Sequence, residues 1–134
     1  MDFDINWLAV LVATVAHQAL GALWYAVLFK NTWLRAMGMS AEEVERQVPG
    51  SELAVGAVAS LFSVIALAAI IGMIDGPTLS EGILIGAVAG IGFVAAATFM
   101  NGMYENKNPI LSTLFGAYYT VGLMAAGAIL ALWQ

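Results

Sequence analysis

Four long runs without a charged side chain, at 5–29, 53–74, 82–100 and 110–133, dominate this chain. At about 1.5 Å of rise per residue, a helix over any of them approaches or exceeds the ~30 Å hydrocarbon layer of a bilayer. Inside that layer there is no water to satisfy free peptide groups, so only helices or the strands of a closed barrel can cross it. Barrel strands alternate polar and apolar residues over about ten positions, and these runs do not alternate. The expected fold is therefore all-α: an integral membrane four-helix bundle, with a short interfacial helical connector, 30–52, between the first two helices. No internal repeat is visible.

Composition agrees. The chain is 62% hydrophobic and 10% charged, where a soluble domain carries about 25% charged residues. Its 134 residues leave no room for a second core, so one transmembrane domain over 1–134 is expected. The lead Met1-Asp2-Phe3-Asp4 is acidic, and the apolar run after it exceeds the roughly 7–15 residues of a signal-peptide core. The first run is thus expected to stay as a span.

Several chemistries are not expected. Nine acidic residues against four basic ones, a net charge of -5, lack the basic footprint of nucleic-acid recognition. Without cysteine there are no disulfides, thiolate metal sites or cysteine nucleophiles, and the single histidine rules out a metal site built mainly on imidazoles. Gly86, Gly90 and Gly92 lie within a span and read as packing positions, not as a phosphate cradle. No cofactor, metal or catalytic set is expected. The expected partners are the lipid bilayer and either a second copy or a larger membrane complex.

The connectors have their own signals. Asp4 or Asn6 is placed to cap the first span, because a short side-chain oxygen there accepts a free backbone N–H. Asn31 to Met39 gathers Trp33, Leu34 and Met37 near one side, a short interfacial helix ended by Gly38. Ser40 with Glu43 spells a capping box for a second short helix, stopped by Pro49-Gly50. Asp75-Gly76-Pro77 is a tight turn, and Glu81 suits a helix N-terminus. Lys30, Arg35, Arg46 and Lys107 all fall in the first and third connectors. Basic residues are retained in the cytoplasm, which places 30–52 and 101–109 there, in a cytoplasmic or inner membrane, with both termini outside.

Helices in lipid associate through small residues and a few hydrogen bonds. Gly82, Gly86 and Gly90 make two overlapping GxxxG steps, read as a seam inside the bundle ahead of a homodimer seam. Ala9, Ala13, His17 and Gly21, spaced by four, form one stripe of the first span, flanked by Thr14 and Gln18. A strongly polar group near the bilayer centre is costly unless partnered, so His17 and Gln18 lead the candidate site. Two readings stay open: interhelical hydrogen bonding alone, or a proton relay or ligand contact. Tyr118, Tyr119, Thr120, Ser60 and Ser63 are the available partners. Thr98, Asn101 and Glu105 recur at helical spacing, either lining a vestibule or capping helix ends.

The segments Asn6-Trp7-Leu8-Ala9-Val10, Gly21-Ala22-Leu23-Trp24-Tyr25 with Phe29 to Trp33, Met37-Gly38-Met39, Tyr104-Glu105-Asn106-Lys107 and Gly116 through Trp133 resemble the domain of unknown function 1761 family of small prokaryotic membrane proteins. The likeness covers essentially the whole chain and is most specific in the Gly21 to Tyr25 segment. It implies a four-helix membrane protein and no assigned activity. It also implies a Tyr-His pair in the fourth span, where this chain has Tyr118-Tyr119, which weakens any shared histidine chemistry. Three functions stay open, in this order: a structural or accessory protein that forms oligomers or joins a complex; a small transporter or channel with a pathway near His17, Gln18, Asn101 and Tyr119; and a membrane enzyme acting on lipid or quinone.

Overall fold

The computed structural model describes residues 4–47 and 50–134, so the residues expected to lead the chain, Met1 to Phe3, and Pro49 in the expected helix stop lie outside the described residues. The helices run in the order α1 Trp7–Leu23, α2 Lys30–Met37, α3 Ala41–Gln47, α4 Gly50–Ile71, α5 Leu79–Ala89, α6 Ala96–Tyr104 and α7 Pro109–Leu132. Two π-helical stretches interrupt them, Trp24–Leu28 directly after α1 and Gly90–Ala95 between α5 and α6. The result is four continuous apolar helices, Trp7–Leu28, Gly50–Ile71, Leu79–Tyr104 and Pro109–Leu132, each long enough to cross a membrane. No strand occurs among the described residues.

Local chemistry sets the helix ends. The Asn6 side chain accepts a hydrogen bond from the Ala9 amide at 3.1 Å and starts the first span. Gly38, at φ +67°, closes α2 in the left-handed conformation that costs glycine least. The Ser40 hydroxyl accepts from the Glu43 amide at 3.2 Å, which is the Ser40 half of the expected capping box. The third span begins at Leu79, earlier than its apolar run, because Thr78 and Glu81 form a reciprocal capping box: the Thr78 hydroxyl accepts from the Glu81 amide at 3.3 Å, and the Glu81 carboxylate accepts from the Thr78 amide at 2.7 Å. The second span likewise begins at Gly50, with Glu52 tolerated in its first turn, where a carboxylate favours the helix dipole.

The fourth span lies at the centre. It packs against all three others; the first and second spans also pack on each other, and the third is attached almost entirely to the fourth. Glycines make that attachment close. A Cβ on Gly82 would overlap the Gly127 carbonyl, one on Gly127 would overlap the Gly82 carbonyl, and one on Gly90 would come within 2.5 Å of the Thr120 Cα. The GxxxG face is therefore used inside the bundle. The remaining core, Val10, Ala13, Val64, Leu67, Ile71, Leu123 and Leu130, fills the space between the first, second and fourth spans.

Candidate functional site

The buried stripe of the first span ends in His17, which is 0% exposed. Around it the second and fourth spans bring hydroxyls into reach. Nδ1 of His17 is 2.9 Å from the Ser60 hydroxyl and 3.2 Å from the Tyr118 hydroxyl. Ser60 in turn donates to Oε1 of Gln18 at 3.0 Å, while Nε2 of Gln18 donates to the Leu53 carbonyl at 3.4 Å. A parallel link joins the same helices, the Ser63 and Tyr119 hydroxyls lying 2.7 Å apart.

Aromatic rings complete the enclosure. Tyr119 meets the imidazole edge to face at a centroid distance of 4.5 Å, and Tyr118 lies tilted at 5.2 Å. On the remaining side is Gly122, where a Cβ would come within 2.5 Å of Cδ2 and 2.8 Å of Nε2 of His17. Gly21 does the same for the Tyr118 hydroxyl, 2.8 Å from a Cβ there. Two glycines on facing helices thus make room for the two rings.

The bond directions order the cluster. A neutral imidazole has one N–H and one acceptor nitrogen. Because the single Ser60 proton goes to Gln18, the Ser60 oxygen is free to accept, which matches an N–H on Nδ1. Nε2 then carries the lone pair; it is buried and has no hydrogen-bond partner among the described residues. An unmatched acceptor is tolerated better than an unmatched N–H. The chain His17 to Ser60 to Gln18 to Leu53 therefore runs one way, from the bundle interior toward the N-terminal end of the second span.

The other sequence candidates fall elsewhere. The Thr14 hydroxyl donates to the Val10 carbonyl of its own helix at 2.7 Å, and Thr120 does likewise to Gly116 at 2.7 Å. Asn101 is exposed and is not among the partners of His17. Glu105 pairs with Lys107 at 2.7 Å, with both side chains about half exposed. That lysine holds the Glu105 carboxyl below its usual range, first through the hydrogen bond and then through its charge. Among the described residues no group of three His, Cys, Asp or Glu side chains is placed to hold a metal.

Among the described residues, one surface cleft of about 640 Å³ lies beside Asn31, Arg35 and Ser40, and another of about 450 Å³ between the third and fourth spans. Neither is lined by His17 or Gln18. Sequence reasoning supplied most members of the polar cluster. It missed the Leu53 carbonyl, which carries no sequence signal, and the specific service of Gly122 as the floor under the imidazole.

Four apolar helices, three of which enclose an interior polar cluster, define an integral, multi-pass membrane protein of the all-α class. The family model described as protein of unknown function (DUF1761) matches residues 8–131, and the chain belongs to that family. No curated protein and no solved structure matches it.

Proposed function

We propose that the protein is a structural or accessory membrane component, which works by associating with a second copy or with a larger membrane complex. The observation that carries this reading is the closure of the polar cluster. His17, Gln18, Ser60, Ser63, Tyr118 and Tyr119 direct their hydrogen bonds to one another or to nearby carbonyls. Polar groups used in this way join helices where apolar contact alone gives no preference over lipid. The third span then presents an apolar outer face, with Phe93 74% exposed, for lipid or for a neighbouring protein.

The distribution of Lys30, Arg35, Arg46 and Lys107 supports an orientation with connectors 30–52 and 101–109 in the cytoplasm and both termini outside. Because the chain has no cysteine, single cysteines introduced at Asp75 and at Asn106 test it directly. An impermeant maleimide applied to intact cells should label the first and not the second.

A photo-crosslinking residue at position 93, introduced in native membranes, tests the association. Protein adducts are expected. Adducts with lipid alone, together with a proton or ion flux in proteoliposomes that His17→Ala abolishes, would instead support a small transporter or channel. One feature favours that second reading: Nε2 of His17 has no hydrogen-bond partner among the described residues.

A further inference from the structure

A groove runs between the third and fourth spans. Ile91, Ala95 and Phe99 form one wall, and Ser112, Gly116, Ala117, Thr120 and Val121 the other. It follows the π-helical stretch Gly90–Ala95, which inserts an extra residue into the turn and opens the helix surface. Its hydroxyls do not face the opening as free donors: Thr113 and Thr120 donate back to Pro109 and Gly116 of their own helix, at 2.9 and 2.7 Å, and Ser112 is buried against Gly102. The groove therefore presents methyl and methylene groups. Its volume, about 450 Å³, is in the range of small-ligand sites, roughly 300–1,000 Å³.

One end of the groove is tied to a charged pair. Ser112, in the groove wall, abuts Gly102 so closely that a Cβ there would overlap its hydroxyl. The Gly102 carbonyl accepts from the Lys107 amide at 2.9 Å, and the Lys107 ammonium meets the Glu105 carboxylate at 2.7 Å. The groove wall is thus linked through Ser112 and Gly102 to one cation and one anion, both reachable by water.

We propose that the groove and the Glu105–Lys107 pair hold one zwitterionic phospholipid, with an acyl chain against Ala95, Gly116 and Ala117 and the headgroup at the ion pair. The lipid phosphate faces Lys107 and its ammonium faces Glu105. A purely anionic headgroup would gain Lys107 but meet the carboxylate 2.7 Å away from it, so the pair discriminates against it by the same charges that accept the zwitterion.

Native mass spectrometry of the full chain tests this, after incubation in mild detergent with equal amounts of dioleoyl phosphatidylethanolamine and dioleoyl phosphatidylglycerol. One phosphatidylethanolamine per chain should be retained in preference. Ala117→Phe, at an exposed position in the groove wall and away from the Gly82–Gly127 seam, should lower retention by about tenfold or more, roughly 1.4 kcal/mol, with unchanged helicity and melting temperature. Val121→Trp narrows the groove from its rim and gives an independent reading. Lys107→Ala should erase the preference between the two lipids. Equal retention of both lipids by the wild type, retention unaffected by Ala117→Phe and Val121→Trp, or a dimer that those variants dissolve would each overturn the proposal.

Discussion

Nδ1 of His17 lies 2.9 Å from the Ser60 hydroxyl across 43 residues of sequence, and through that contact the first span is fastened to the second near the middle of both helices. The fourth span joins at the same point, because the Tyr118 hydroxyl reaches the same ring nitrogen. Three helices share one buried imidazole.

Ser60→Ala removes the oxygen that accepts from His17 and donates to Gln18. Single hydrogen bonds between membrane helices contribute about 0.6 kcal/mol on average, and stranding buried partners adds a further ~1–3 kcal/mol. A loss of roughly 2–4 kcal/mol is therefore expected in reversible unfolding in detergent micelles. Combining it with Gln18→Leu should cost less than the sum of the two single changes, as measured by a double-mutant cycle. Full additivity would show that the two side chains are not coupled.

Gly122→Ala places a Cβ against Cδ2 and Nε2 of His17. Overpacking a tight interior typically costs about 1–3 kcal/mol, so a marked drop in melting temperature is expected. The specific check is suppression: in a His17→Ala background the space is free, and Gly122→Ala should then be close to neutral. If the penalty persists there, something other than the imidazole is being displaced.

At the seam between the third and fourth spans, Gly127→Val puts a branched side chain where the Gly82 carbonyl now lies. The helices must separate or the third span must rotate. Spin labels on Leu84 and Ala128 should report a longer and broader distance distribution in the variant, while the labelled first and second spans stay unchanged. An unaltered distance would mean that the seam can slide to accommodate the side chain.

The Thr78–Glu81 capping box predicts a smaller and local effect. Thr78→Ala should destabilise the third span by about 1 kcal/mol and raise amide exchange in its first turn, from Leu79 to Gly82. Exchange unchanged in that turn would assign the helix start to packing alone.

Lys107 holds the Glu105 carboxyl below its ordinary range, so the folded state binds that proton more weakly than the unfolded chain does. The pair's contribution is present at pH above the unfolded carboxylate value and is lost as pH falls through the lower, folded one. Because both side chains are exposed, screening keeps it small. An NMR titration of the Glu105 side chain should show its midpoint rise toward the usual carboxylate value in Lys107→Ala, and no movement would contradict the pairing.

Much of this was legible in the residues. Uncharged runs of membrane-crossing length named four helices because a bilayer allows their backbones little else, and the four-residue spacing of Ala9, Ala13 and His17 showed which side of the first span is buried. The start of the third span was less legible, since Thr78 and Glu81 act through a local reciprocal bond and not through hydropathy. Asn101, joined to His17 only by polarity, proved to be exposed, as did Glu105 at the end of the third span.

The sequence by itself determined that the chain is a set of membrane helices, because hydrophobic length against a fixed lipid thickness is a property of each segment alone. Which helix meets which was decided only in three dimensions. Ser60 and Tyr118, not Thr120 or Ser63, reached the imidazole, since the rotation of each helix about its axis follows from the mutual fit of glycines and side chains. That fit depends on Gly82 against Gly127 and on Gly122 against His17, pairs of positions distant along the chain whose shapes have meaning only together.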